Sequence, residues 1–244
     1  NQRPASVISF SMSEPVCVIT GVGPGNGAAF ARRFSKEGYA VALLSRSTDF
    51  TGKLAAALPN ARAYACDVGD PSAVAAVFNS VRQDLGPVNV LLYNAGSGVF
   101  GSIEDVSLED FEGAWRTNAL GAFAAAKAVI PDMKAAGSGS IVFTGATASV
   151  RGGGRFAAFA SAKGAQRNLA QSLARHLGPA GIHVALVLVD GMIDLPRSRA
   201  MMPDKPDDFF LNPDDIAETI WHLTQQPRSA WSFEVDVRPF SEKW

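Results

Sequence analysis

The stretch that most restricts what this chain can fold into is Val16-Cys17-Val18-Ile19-Thr20-Gly21-Val22-Gly23-Pro24-Gly25-Asn26-Gly27. It begins as a β-branched apolar run, breaks into glycine at every second position, and opens into Ala28-Ala29-Phe30-Ala31-Arg32-Arg33-Phe34. Strand, tight turn and helix are predicted in that order. Glycine tolerates positive φ and admits a phosphate where a Cβ would block it. The helix start behind the turn offers unpaired N–H groups and the positive end of a dipole, both favourable to an anion. A turn of this kind can also be plain strand-to-helix punctuation, so its function rests on what else the chain carries. Two spacings can be read here. T-G-x-x-x-G-x-G runs through Thr20, Gly21, Gly25 and Gly27, whereas G-x-G-x-x-A from Gly23 starts too far past the strand. The first is adopted.

Apolar strand runs then alternate with helix-period segments almost to the end, the pattern of βαβ units around a parallel sheet. Strands are predicted over 16–20, 40–45, 61–66, 88–93, 140–144, 183–189 and 231–237. Helices are predicted from the glycines to 38, over 51–58, from the Asp70-Pro71 cap to 85, from 108, over 118–136 and 156–177, and from 212. Asp70-Pro71 and Asn212-Pro213 have helix-start chemistry, with proline in the first turn. The segment between Asp190 and Leu211 reads as irregular. The fold expected is α/β: a three-layer, doubly wound parallel sheet of Rossmann type, in a single domain over 12–244. Because Met12 directly precedes the first strand, 1–11 is expected to be a disordered extension.

At 244 residues and 47% hydrophobic, the chain can bury a parallel sheet. Its 22 Lys+Arg balance 23 Asp+Glu, so the basic stripe of a nucleic-acid binder is missing. Cys17 and Cys66 fall in predicted strands without metal-ligand spacing, and they read as buried, reduced thiols. No metal is expected. No apolar run is long enough to span a membrane, and residues 1–10 lack a signal peptide's apolar core. The expectation is a cytoplasmic protein with neither membrane nor nucleic-acid partner.

In doubly wound sheets, ligands bind beyond the carboxyl ends of the strands, where the strand order reverses. An acidic residue after the second strand would hold an NAD ribose and repel a 2′-phosphate. Ser45-Arg46 stands there instead, and a guanidinium suits phosphate. NADP(H) is therefore favoured over NAD(H). In its glycine spacing, in Asn94-Ala95-Gly96 and in the placement of Asn118 and Lys163, the chain resembles the short-chain dehydrogenase/reductase family. The resemblance implies a cofactor site of Gly21, Gly25, Asn26, Gly27, Arg46, Asp67, Val68, Asn94, Ala95, Gly96, Lys163, Gly191 and Ile193. Within it, Asp67 meets the adenine edge, Lys163 the nicotinamide ribose and Ile193 the nicotinamide amide. Tyr93 stands for the first Asn of the family's N-N-A-G motif, and Asp190-Gly191 for its Pro-Gly. The family's glycine-rich ending is missing from 233–240.

The resemblance breaks at the catalytic positions. The family's Asn and Lys are matched by Asn118 and Lys163, but Phe159 replaces its Tyr and Ala146 its Ser. Reducing a carbonyl with a nicotinamide hydride needs a proton for the developing alkoxide. Phe has no proton to give, and Ala neither donates nor accepts. A missing general acid costs about 10² to 10⁴ in rate, and a missing oxyanion donor costs roughly 10² to 10³. Thr147, next to Ala146, ranks first as a surrogate donor, ahead of Ser149, Thr144 and Tyr93. Arg151 and Arg155 read as solvated loop charges, and His176, His183 and His222 as structural or surface residues.

The implied function is an NAD(P)(H)-binding oxidoreductase with an incomplete Ser-Tyr-Lys-Asn set. It would act on a small carbonyl or alcohol through a non-standard proton donor, with 192–211 shaping the substrate pocket. The alternative is a catalytically silent dinucleotide-binding protein, a sensor or partner; a lyase or isomerase is a weaker third reading. Small-residue helices over 119–136 and 156–177 match the family's subunit interface, implying a homodimer or homotetramer.

Overall fold

The apolar runs of the sequence become the strands of one sheet, and the segments between them its two helical layers. A computed structural model describes residues 14–242; the extension expected over 1–11 lies outside them. The chain runs β1 (Val16–Thr20), α1 (Asn26–Lys36), β2 (Ala40–Ser45), α2 (Thr48–Ala56), β3 (Ala61–Ala65), α3 (Pro71–Asp84) and β4 (Val88–Tyr93). A long helical run follows: α4 (Leu108–Trp115), a π turn (Arg116–Leu120) and α5 (Gly121–Ala136). Next come β5 (Gly139–Ala146), α6 (Ala157–Leu177), β6 (Ile182–Val189), β7 (Met192–Ile193) and α7 (Pro196–Met201). The chain closes with β8 (Phe210–Leu211), α8 (Pro213–Thr224) and β9 (Glu234–Val237).

Seven of these strands form a parallel sheet in the order β3-β2-β1-β4-β5-β6-β9. All five residues of β1 are buried, and alternate side chains serve opposite faces. Val16 and Val18 join Leu91, Tyr93, Ile141 and Phe143 beneath α3, α5 and α6. Cys17 and Ile19 join Phe30, Phe34, Ile216 and Ile220 beneath α1 and α8. The winding reverses between β1 and β4, which pair from Val16↔Val88 to Thr20↔Tyr93. The cleft beyond that reversal point is where such a fold binds ligands.

Local capping chemistry sets the helix starts. Asp70 and Asn212 accept from the N–H groups of Ser72 and Asp214, at 2.8 and 2.9 Å. The same chemistry corrects one boundary, because Ser47 accepts from Asp49 N and starts α2 before the predicted residue 51. The segment expected to be irregular carries a parallel β7–β8 pair and the short α7. The predicted strand over 231–237 begins only at Glu234, and Cys66 lies one residue past β3, though buried. Helices predicted separately from 108 and over 118–136 form one run through the π turn. Among the described residues no helix is long and apolar enough to cross a membrane.

Candidate active site

The glycine turn is closed against the loop after β4. Thr20 Oγ1 accepts from the backbone N–H groups of Asn94 and Ala95, both at 3.2 Å. Asn94 Nδ2 returns a bond to Gly21 O at 3.0 Å. Gly21 has φ +67°, and a Cβ there would run into the Ala95 backbone. A Cβ on Gly27 would lie 2.6 Å from Val22 Cα. Position 21 therefore needs glycine for both conformation and space, and position 27 for space. At Gly25 the neighbour is Leu195, whose side chain rests on the turn from the segment before α7.

The turn leaves α1 open for an anion. Gly25, its N-cap, has no side chain to cap with, and the first turn holds no acidic residue. Ala28 N donates to Gly23 O and Ala29 N to Gly25 O, both at 3.1 Å, which leaves the N–H groups of Asn26 and Gly27 facing a ligand. Asn26 is only 7% exposed, and its Oδ1 has no hydrogen-bond partner. The glycine cradle and the uncapped helix start fit a dinucleotide's phosphates, and the orphaned Asn26 Oδ1, an acceptor, fits one of its hydroxyls.

The other expected cofactor positions line the same edge of the sheet. Asp67 Oδ1 accepts from Gly69 N at 2.9 Å, and Val68 is buried beside it. Ser45 Oγ donates to Ser47 O at 2.6 Å, and Arg46 is exposed, with no ion pair among the described residues. Gly191 has φ +151°, while Ile193 is half-buried in β7 against the core. Among the described residues no group of three or more His, Cys, Asp or Glu could hold a metal.

The corner where the expected catalytic positions fall is built on the π turn. Such turns interrupt regular helix bonding and occur often at functional sites. Two of its carbonyls accept side-chain bonds, Thr117 O from Tyr93 Oη at 2.5 Å and Asn118 O from Gln166 Nε2 at 2.9 Å. Asn118 is fully buried; its Nδ2 donates to Ala114 O and Ser97 O, at 2.9 and 3.0 Å. Its Oδ1 is unpartnered. A Cβ on Gly96 would lie 3.3 Å from that oxygen and 3.8 Å from Lys163 Nζ. Gly96, Asn118 and Lys163 therefore converge.

Lys163 is 5% exposed and donates from Nζ to Thr144 O at 2.7 Å and Gln166 Oε1 at 3.2 Å. Burial lowers its pKa from 10.5 to about 8, since a poorly solvated ammonium gives up its proton more readily. Phe159 sits one turn before Lys163 on α6 and meets Phe100 edge-on, centroids 5.3 Å apart. Phe100 also meets Phe156, so an aromatic trio stands where the family carries a phenol. Ala146 closes β5, and its N–H donates to Ser149 Oγ at 3.1 Å.

The surrogate donors fare unevenly. The Thr147 hydroxyl donates to the Asp190 carboxylate, which also lies 3.8 Å from Arg238. Tyr93 is corrected outright: it is fully buried, and its hydroxyl is spent on the π turn. Burial also raises its pKa far above the phenol range. Arg151 and Arg155 are exposed. His183 is buried and stacks on Trp231, centroids 4.8 Å apart. Sequence reasoning passed over Gln166 and the Thr147–Asp190 contact. Gln166 left a readable trace, because three residues past Lys163 it shares that helix face.

Residues 15–204 match the family model described as short chain dehydrogenase. Meso-2,3-butanediol dehydrogenase of Serratia marcescens is 37% identical over 171 residues, 69% of this chain and 68% of that protein. An alcohol dehydrogenase from Thermococcus sibiricus, solved with 5-hydroxy-NADP, superposes with a TM-score of 0.85 at 29% identity, covering 94% and 98% of the two chains. An NAD+-bound xylitol dehydrogenase gives 0.84 at 27%, covering 92% and 98%.

Proposed function

The chain belongs to the short-chain dehydrogenase/reductase family, and on that premise we propose that it binds NADP(H) and works as an oxidoreductase on a small carbonyl or alcohol, without the family's hydroxyl pair. One observation carries the reading: Lys163 is held buried on Thr144 O and Gln166, converging with Asn118 on Gly96. The bound nicotinamide supplies or accepts the hydride. Gly21, Gly25, Asn26 and Gly27 form the phosphate cradle, Asp67 and Val68 flank the adenine, and Lys163 anchors the ribose beside the nicotinamide. Gly191 and Ile193 back the nicotinamide amide, while Asn94 and Ala95 brace the cradle from behind. Arg46, exposed beyond β2, favours the 2′-phosphate of NADP(H) over the bare ribose of NAD(H).

No phenol or serine reaches the substrate from positions 159 and 146, so the proton must come from elsewhere. Thr147 serves only with Asp190, because its own proton is directed at that carboxylate. Water entering the cleft is the simpler source. The segment 192–211 shapes the substrate side. It is stapled by Arg199, which donates to Asp194 at 2.7 and 2.8 Å and to Asp207 at 2.5 Å. The chain self-associates as a homodimer or homotetramer through 119–136 and 156–177; Phe111, Trp115 and Phe123 on the same helical run are exposed.

A second reading has its own support. With Phe159 and Ala146 in place, the chain could bind the dinucleotide and transfer nothing, acting as a sensor or partner. Calorimetric titration with NADPH and NADH, in wild type and Lys163→Ala, tests the shared premise. Binding that weakens in the variant is the expected result, with NADPH the tighter ligand; no binding of either cofactor refutes both readings. Turnover on a carbonyl panel then separates them.

A further inference from the structure

Among the described residues Lys163 has no carboxylate partner: its ammonium rests on two neutral oxygens, Thr144 O and Gln166 Oε1. The second belongs to a fully buried side chain whose other end, Nε2, donates to Asn118 O on the π turn. The orientation of this carboxamide follows from its partners. Flipped, it would set an NH2 group against an ammonium and a carbonyl against a carbonyl. One residue thus links the cofactor-anchoring lysine to the helix distortion that positions Asn118.

We propose that Gln166 is the positioning residue of this site: its carboxamide aims Lys163, sustains the charge on that lysine, and locks it to the π turn through Asn118. Burial alone drives Lys163 towards the neutral amine, and a carbonyl oxygen on Nζ opposes that drive by bonding only the charged donor well. A carboxamide is neither acid nor base near neutrality. The bridge therefore fixes geometry without relaying a proton, which complements the absent hydroxyls at 146 and 159. An apolar residue at 166 could fill the same space on α6, so a purely structural role would leave the titration of Lys163 unmoved.

The charge on Lys163 is set by the protein alone; only its consequence for affinity rests on the proposed cofactor. The test follows the Lys163 Cε resonance through a pH titration of protein carrying labelled lysine, assigned by its loss in Lys163→Arg. In Gln166→Met the midpoint should fall by about one pH unit, roughly tenfold in proton affinity, as expected for losing a hydrogen bond to a charged group. In Gln166→Glu it should rise, because a carboxylate beside the ammonium favours the charged form. Opposite signs in two variants at one position separate positioning from general loosening of the core. Should Gln166→Met not fold, Gln166→Asn, which is too short to bridge both partners, takes its place with the same expected fall. An unmoved midpoint, or a fall in every variant including Gln166→Glu, overturns the assignment. A parallel NADPH titration should show affinity about tenfold weaker in Gln166→Met. If the midpoints move as stated but the wild type binds no NADPH, the cofactor reading fails and the role of Gln166 stands.

Discussion

Lys163 makes a prediction about stability whose sign is unusual for a lysine. In the folded protein burial lowers its pKa from 10.5 to about 8. In the unfolded chain it keeps the ordinary value. Below about pH 8 both states carry the proton, and the whole burden of the buried ammonium weighs on the fold. Between about 8 and 10.5 the folded state has released its proton while the unfolded state still holds it, so stability rises with pH across that window and then levels off. At about 1.4 kcal/mol for each tenfold in proton affinity, the gain is at most about 3–4 kcal/mol. Other groups work against it. Burial raises the pKa values of Cys17, Tyr39, Tyr64 and Cys66, and each lowers stability as the unfolded chain ionises first. Lys163→Met removes the one titration and keeps these. Urea unfolding of both proteins, stepped through neutral and alkaline pH, isolates the lysine in the wild-type-minus-variant difference. That difference should climb in favour of the wild type through the window. A flat or falling difference would refute the claim that the folded protein buries a charged Lys163.

Three further outcomes are expected. Tyr93→Phe removes a fully buried phenol and with it the side-chain donor to the half-buried Thr117 O; it should cost about 1 kcal/mol. For a chain of this size that lowers the melting temperature by about 2–4 °C per kcal/mol, and unchanged calorimetric melting would mean the π turn does not need the phenol. Phe159→Tyr with Ala146→Ser should raise ketone reduction by about 10² or more, read as NADPH oxidation; no gain means the substrate side has diverged beyond those two positions. Phe123→Glu puts a charge on an exposed aromatic of α5 and should shift light-scattering mass towards the monomer, whereas an unchanged mass removes that helix from the interface.

The fold was legible because its signals are local and repeated. β1, β2 and β4 match their predicted ranges residue for residue, each an apolar run bounded by glycine, polar or proline punctuation. Asp70-Pro71 and Asn212-Pro213 announced their helices through one side chain and one ring. What failed to show was built by contacts distant in sequence. The π turn has no propensity signature; it is met by Tyr93, 24 residues before Thr117, and by Gln166, 48 residues after Asn118. The β7–β8 pair needs strands 18 residues apart in register, Met192↔Phe210, each too short to read as a run. Thr147 ranks first by nearness to Ala146 along the chain, but Asp190, which accepts its hydrogen bond, reaches it only because β5 and β6 end side by side. Tyr93 looked like a pocket residue because it ends a strand at the cleft edge, yet on a sheet buried on both faces its side chain points into the helical layer.

The two halves of the proposed catalytic corner differ in their effect on stability, and that difference bears on function. Phe159 and Ala146 are apolar: they supply no proton, and neither costs the fold anything in desolvation. Lys163 is the reverse, a charge buried without a counter-ion among the described residues, and removing a charge from water is costly unless something opposite or hydrogen-bonding meets it. Thr144 O and Gln166 Oε1 meet part of that demand. The orphaned Asn118 Oδ1 close by, and Asn26 Oδ1 on the glycine turn, are acceptors still waiting for donors. A ligand with hydroxyls and an amide beside a polyanionic backbone, as in a nicotinamide dinucleotide, would satisfy all three at once. Its binding should then stabilise the fold most below about pH 8, where the ammonium burden is full, and progressively less as Lys163 loses its proton.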